Sequence, residues 1–121
     1  MGLNKLEIAE AYYKALGEKQ LAATEKHLDP DVQCTGPLVK VLGKESVMEA
    51  NKKFVSLFKT LKIRSSFASH DQAMIVYDLG CQPPINIFSA AALLTFKGSL
   101  ITKIELFYDA RPFDAQKAAT S

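Results

Sequence analysis

The spacing of apolar residues changes near residue 62, and this change restricts the chain to folds in which helices come first and strands follow. Up to that point apolar residues recur every three or four positions, which predicts helices over residues 3–16, about 19–28 and 44–60. Beyond it, β-branched and aromatic residues between short turns predict strands. These predicted strands cover residues 62–69, 72–79, 86–96 and 99–109, after an earlier short strand at residues 32–35.

This order of elements predicts an α+β domain. Turns such as Lys97-Gly98 are short enough to pair consecutive strands antiparallel. The three helices would then cover one face of a curved antiparallel sheet, giving a cone-shaped α+β roll whose mouth can hold a ligand. A chain of 121 residues suits one domain, which we place at residues 1–113. The small and polar residues 114–121 predict a flexible C-terminal tail.

Composition argues against several classes of function. The chain is 48% hydrophobic with a net charge of +2, and its lysines and glutamates are mixed, so we expect neither nucleic acid nor a membrane as partner. The uncharged run over residues 79–96 is interrupted by a glycine and two prolines, so it is not predicted to span a membrane. Two cysteines, and two histidines without metal-ligand spacing, predict free thiols, no metal and no organic cofactor. A cytoplasmic location is the expectation.

Polar side chains within apolar faces mark the candidate site. Tyr12 lies beside the apolar arc of the first helix, and Asn51 lies in the middle of the arc of the third. A buried amide without a partner costs roughly 1–3 kcal/mol, so Asn51 either bonds to nearby backbone or forms part of a pocket wall. Cys34 shares a strand face with Gly36 and is expected to border the cavity as an inert thiol.

The predicted strand over residues 86–96 is apolar on both faces. By alternation its inner residues are Ala90, Ala92, Leu94 and Phe96. The outer residues, at every second position from Ile87 to Thr95, are small or apolar, and a strand buried on both faces needs a cover on its convex side. We expect a homodimer through the convex sheet faces, with a loop or the C-terminal tail as the alternative cover.

The same alternation orients the other strands. On the last strand, Ile104 and Leu106 select the inner face, so Tyr108 is predicted to face the cavity and Asp109 the outside. On the strand over residues 62–69, Arg64 is predicted to face outwards. The predicted inner residues of that strand are Ile63, Ser65 and Phe67.

Several short stretches occur in the order found in a known superfamily. They are residues 9–16 (AEAYYKAL), 28–32 (LDPDV), 36–37 (GP), 43–47 (GKESV) and 107–109 (FYD). Together they resemble the nuclear transport factor 2-like (NTF2-like) superfamily, which includes ketosteroid isomerases and SnoaL-type polyketide cyclases. The resemblance spans nearly the whole chain and implies the conical fold, with polar chemistry inside the cone.

The resemblance also implies which positions to compare with those enzymes. The general base of a ketosteroid isomerase would fall at Gly36, its oxyanion-hole tyrosine at Tyr12, and its neutral aspartic acid at Ala92. Only the tyrosine is present, and because no proton leaves carbon without a base, classical steroid isomerisation is not expected. Limonene epoxide hydrolases, of the same fold, need an Asp-Arg-Asp set. The candidates for that set are Asp31, Asp78 and Asp109, with Arg64 or Arg111.

Two functions of different classes follow from the sequence. The first is a SnoaL-like protein that binds a small, largely apolar ligand, with isomerase- or cyclase-type acid/base chemistry without metal, in which Asp31 and Asp78 are the catalytic candidates. The second is a non-catalytic, dimeric ligand-binding or protein-interaction module. The predicted ligand-binding residues are Tyr12, Cys34, Asn51, Phe54, Phe58, Ala92, Leu94, Phe96, Leu106 and Tyr108.

Overall fold

The computed structural model describes residues 4–112 and shows three helices and six strands in that part of the chain. The helices are α1 (Lys5–Gly17), α2 (Leu21–Glu25) and α3 (Lys44–Val55). The strands are β1 (Leu28–Gly36), β2 (Val39–Leu42), β3 (Thr60–Ser69), β4 (Gln72–Gly80), β5 (Ile87–Lys97) and β6 (Leu100–Phe107). The predicted tail over 114–121 lies outside the described residues. Within residues 4–112, no helix is both long and apolar enough to cross a membrane.

The strands form one curved sheet in the order β2-β1-β6-β5-β4-β3. All neighbouring strands are antiparallel except β1 and β6, which pair in parallel. Helix α1 packs on β3 and β4, and α3 packs on β1 and β2, so these two helices cover one face of the sheet, while α2 packs against both of them. The predicted α+β class is therefore confirmed.

Helix α1 begins with a capping box, and its last residue lies close to β3. The Asn4 side chain accepts from the Glu7 backbone N–H at 2.8 Å, and the Glu7 carboxylate accepts from the Asn4 backbone N–H at 3.1 Å. At the other end Gly17 is the last helical residue, and Lys19, two positions later, takes the left-handed conformation with φ 60°. A Cβ on Gly17 would lie 3.2 Å from the Leu61 Cβ, so glycine here allows α1 to approach β3.

Three predicted boundaries are corrected by the structure. Strand β1 extends over Leu28–Gly36, and the next strand, β2, was not predicted because its side chains are only half-buried or exposed. The second helix is shorter than predicted. Helix α3 ends at Val55 rather than near residue 60, because the Ser56 hydroxyl donates to the Lys53 carbonyl at 2.6 Å and closes the last turn.

The inner face of the sheet forms the core together with α1. Every second residue of β4 from Ala73 to Leu79 is buried, and so is every second residue of β5 from Phe88 to Phe96. The predicted alternation of β5 is confirmed. These side chains form one buried cluster with five residues of α1, which are Ile8, Ala9, Tyr12, Tyr13 and Leu16.

A bulge at Arg64 exchanges the inner and outer faces of β3 for the residues that follow it. Ile63 pairs with Tyr77, but the next paired residue is Ser65, opposite Val76, so Arg64 has no direct partner in the ladder. The extra residue turns Ser65 and Phe67 outwards, and the prediction that both face inwards is wrong. Phe67 is 61% exposed. Its neighbour Ser66 now faces α1, where its hydroxyl donates to Glu10 Oε2 at 2.6 Å.

Candidate functional site

A cavity of about 770 Å³ opens between α1, α3 and the inner face of the sheet. All four tyrosines of the chain border it, namely Tyr12, Tyr13, Tyr77 and Tyr108. Phe54 and Phe88 add two further aromatic side chains. Leucine, valine and alanine side chains fill much of the remaining wall, so the cavity is a largely apolar space with phenol groups in it.

Tyr12 and Asn51 form a buried polar pair at the cavity wall. Asn51 Nδ2 donates to the Tyr12 hydroxyl oxygen at 2.8 Å, and the two residues are 8% and 1% exposed. The sequence left two roles open for Asn51, a bond to nearby backbone or a polar group at the pocket wall, and the structure places it at the wall, bonded to Tyr12. Burial raises the pKa of Tyr12 well above its usual value of 10.0, so its hydroxyl is neutral at physiological pH. A neutral phenol can donate its hydrogen to a ligand.

The other three tyrosines are held by contacts within the cavity wall. Tyr13 and Tyr77 share a side-chain hydrogen bond, with ring centroids 5.0 Å apart, and burial raises the pKa of both. The Tyr108 hydroxyl accepts from the Leu38 backbone N–H at 3.3 Å, and its ring packs edge-on against Phe88. Tyr108 therefore stands on the inner face, as the alternation of the last strand predicts.

Cys34 lies among these tyrosines on β1. It is 7% exposed, and burial raises the pKa of its thiol to about 11. A thiol with that pKa is almost fully protonated near neutral pH, so it behaves as a small apolar wall group and not as a nucleophile.

The predicted ligand-binding residues divide into two groups. Those that border the cavity are Tyr12, Cys34, Asn51, Phe54, Leu106 and Tyr108. Those buried in the core away from its lining are Phe58, Ala92, Leu94 and Phe96. Both groups are apolar and face the interior. The alternation of a strand predicts which side chains face the interior, but not which of them border the cavity and which are covered by other core residues.

Tyr13 and Tyr77 were not among the predicted site residues, although both border the cavity. Tyr77 has the same strand parity as the buried Ile75 and Leu79, and this shared parity is the signal that could have placed it on the inner face. The missing information was the position of the cavity along β4.

The two aspartates predicted as catalytic lie outside the cavity lining. Asp78 stands between the inward-facing Tyr77 and Leu79, so it points to the outer face, where it accepts from the Ser89 hydroxyl at 2.6 Å. Asp31 is exposed on β1, and its backbone N–H donates to the Asp29 carboxylate at 2.8 Å in a local turn. The acid/base role predicted for these aspartates is corrected on this ground, because neither side chain reaches the cavity wall.

The epoxide-hydrolase set is not assembled at the cavity either. Arg64 pairs with Asp78 on the outer face, at 3.6 Å, and Arg111 pairs with Asp109 at 2.7 Å in an exposed position. The guanidinium of Arg111 lowers the pKa of Asp109 to about 2. Among residues 4–112, the carboxylates that border the cavity are Glu45 and Glu49, at exposed positions of α3. In the same range no three His, Cys, Asp or Glu side chains come together as a metal site.

Comparison with known proteins identifies the fold. No family model and no curated protein matches this chain. A solved structure from Kribbella flavida matches with a TM-score of 0.88 and 23% identity, covering 95% of this chain and 94% of that one. An NTF2-like protein of unknown function from Cytophaga hutchinsonii matches with a TM-score of 0.81 and 19% identity, over 94% and 97% of the two chains.

A third solved structure was obtained with a small molecule. It is a protein with a ketosteroid isomerase-like fold from Catenulispora acidiphila in complex with trimethylamine. It matches with a TM-score of 0.72 and 18% identity over 88% of each chain. At these identities the matches establish the fold. The chain has the NTF2-like fold that its sequence resembles.

Proposed function

We propose that this chain, given its NTF2-like fold, binds a small and largely apolar molecule whose hydrogen-bond acceptor meets the Tyr12 hydroxyl. The observation that supports the proposal is the buried Tyr12–Asn51 pair at the wall of a largely apolar cavity. A cavity of about 770 Å³ is within the range of small-molecule sites. Apolar burial, at about 25 cal/mol per Å², would supply most of the affinity, and the hydrogen bond would orient the ligand.

The proposal is binding without proton abstraction from carbon. The position of the isomerase base is Gly36, where an added side chain would collide with Leu106. Asp31 and Asp78 lie outside the cavity lining, and Glu45 and Glu49 stand at exposed positions on its border. These placements support the second of the two functions that the sequence allows, a non-catalytic ligand-binding module.

We also propose that a second copy of this chain covers the outer sheet face. Two adjacent cross-strand rows on that face contain Phe67, Met74 and Leu93, and Val76, Ala91 and Phe107. Phe67, on the edge strand β3, is 61% exposed, and Phe107, at the end of β6, is 52% exposed, so two large apolar side chains of this face meet solvent in a single copy of the chain. The pairs Arg64–Asp78 and Lys103–Glu105 stand on the same face. Because each pair carries both signs of charge, the face is complementary to its own two-fold copy.

A matched pair of probes tests the ligand proposal. 2-Acetylnaphthalene and 2-ethylnaphthalene share the ring system and the length of the side chain, but only the first carries a carbonyl, whose oxygen is a hydrogen-bond acceptor. We expect the wild-type protein to prefer the acetyl probe about fivefold, the worth of one neutral hydrogen bond. Tyr12→Phe should abolish the preference. Tyr13→Phe should keep it, because the Tyr13 hydroxyl is already bonded to Tyr77.

Two results would contradict the proposal. One is a calorimetric titration in which neither naphthalene binds. The other is tighter binding of tetramethylammonium, since the aromatic wall could instead attract an alkylammonium ion, and the Catenulispora neighbour was solved with trimethylamine.

A further inference from the structure

We infer that Asn51 is a positioning residue that directs the hydroxyl hydrogen of Tyr12 into the cavity, an inference that rests on the proposed ligand-binding function. The two side chains come from α3 and α1, and the bond of 2.8 Å joins residues 39 positions apart in the sequence. Both residues are more than nine-tenths buried, so water cannot replace the amide as a partner without opening the wall.

The amide sets the direction of this bond. An amide nitrogen carries hydrogens and no acceptor site, so its contact with the Tyr12 oxygen runs only from Asn51 to Tyr12. The phenol hydrogen must then turn away from the amide nitrogen. Among residues 4–112, the Tyr12 hydroxyl shows no hydrogen bond other than this one. The cavity, which both residues border, is where that hydrogen finds an acceptor.

The other groups around Tyr12 do not fix the orientation of its hydroxyl hydrogen. Cys34, Tyr13 and Tyr77 lie close to Tyr12 and have raised pKa values, so all three are neutral near physiological pH. A neutral hydroxyl or thiol can either donate or accept, and so fixes no polarity. The charged residues on the cavity border, which are Lys40, Glu45, Glu49 and Lys53, are exposed. The fixed donor at position 51 therefore decides that a ligand meets a hydrogen and not a lone pair.

The substitution Asn51→Asp tests this inference because it keeps the size of the side chain and reverses the bond. An ionised carboxylate accepts from Tyr12 and withdraws its hydrogen from the ligand, whereas a protonated carboxyl can donate to Tyr12 again. We would measure the affinities of 2-acetylnaphthalene and 2-ethylnaphthalene from about pH 4 to about pH 8. The acetyl preference should fall about fivefold in the variant at the upper pH and return at the lower one. The wild type over the same range controls for Glu45 and Glu49.

A second measurement needs no ligand. The chain has four tyrosines, so labelling tyrosine with ¹³C at Cζ gives four signals, and Tyr12→Phe identifies one of them. Asn51→Asp should shift the Tyr12 signal with pH, while Asn51→Leu should shift it without pH dependence. Circular dichroism and cooperative unfolding confirm that each variant is folded.

The outcomes separate the two proposals. If the wild-type protein does not prefer the acetyl probe, the proposed function fails. If the wild type prefers it and Asn51→Asp retains that preference at the upper pH, the positioning role of Asn51 is overturned. If Asn51→Asp lowers the affinity for both probes equally at every pH, Asn51 has a merely structural role, and the inference is also overturned.

Discussion

Leu106 occupies the space in which a side chain at position 36 would have to stand. A Cβ built on Gly36 would lie 2.9 Å from the Leu106 Cβ and 3.2 Å from Val39 Cγ1. At the position where the resemblance would place an isomerase base, the neighbouring strands therefore leave no room for a side chain unless Leu106 moves.

This packing predicts the effect of Gly36→Ala. Because the added methyl overfills the contact between β1 and β6, the substitution should lower the free energy of unfolding by about 1–3 kcal/mol. Leu106→Gly removes the Cβ that the added methyl meets, so the double variant should lose less stability than the sum of the two single changes, with a coupling of about 1 kcal/mol. Urea unfolding of the four proteins in this double-mutant cycle measures both quantities. Strictly additive effects would show that Leu106 does not limit position 36.

The outer sheet face predicts the oligomeric state. Light scattering of the wild type at micromolar concentration should give twice the monomer mass, and Phe107→Asp should give the monomer, because a carboxylate would be buried in the proposed interface. Leu57→Asp serves as the matched control, since Leu57 is 51% exposed but follows α3 at the cavity border. A monomeric wild type, or a monomer produced equally by Leu57→Asp, would refute the proposed interface.

The raised pKa of Cys34 predicts slow alkylation. The neutral thiol is favoured below about pH 11, so near pH 8 only about one thiol in a thousand is ionised. In the Cys81→Ser variant, the rate of iodoacetamide labelling, followed by mass spectrometry, should rise about tenfold per pH unit over that range. A saturating concentration of 2-acetylnaphthalene should slow it further, because Cys34 borders the cavity. Rapid labelling at neutral pH would contradict the buried, uncharged thiol.

Because Asp31 and Asp78 lie outside the cavity lining, we expect their substitution to have little effect on ligand binding. Asp31→Asn and Asp78→Asn should each change the affinity for 2-acetylnaphthalene by less than about twofold, because neither side chain borders the cavity. Asp78→Asn should also cost less than about 1 kcal/mol of stability, since Asp78 and Arg64 form a partly exposed pair. Calorimetry and urea unfolding measure these effects. A large loss of affinity in either variant would return that carboxylate to the site.

The sequence predicted strand faces well where the alternation is uninterrupted. On β5 and on the end of β6 the inner and outer residues are those expected, and Tyr108 borders the cavity for that reason. On β3 the same rule failed beyond Ile63, because one unpaired residue shifts every later side chain to the opposite face. The serines at 65 and 66 suit either face, so no local preference marked the bulge.

The candidate site could be predicted only in part, because its polar groups meet across the fold. The helical pattern placed Asn51 in an apolar arc and so identified it as a buried amide needing a partner. That the partner is Tyr12 depends on how α1 and α3 approach each other, which no local pattern encodes. Likewise, Asp78 at a strand end could face either way until the pairing with Ser89 placed it outside.

The position of β6 has a consequence for synthesis on the ribosome. Among residues 4–112 it is the last strand in sequence order, yet it lies between β1 and β5 and pairs with both. A nascent chain that has not yet released residues 100–107 holds a two-stranded and a three-stranded piece, each with an open edge. Sheet completion, and with it the walls of the cavity, must then wait until translation has passed β6.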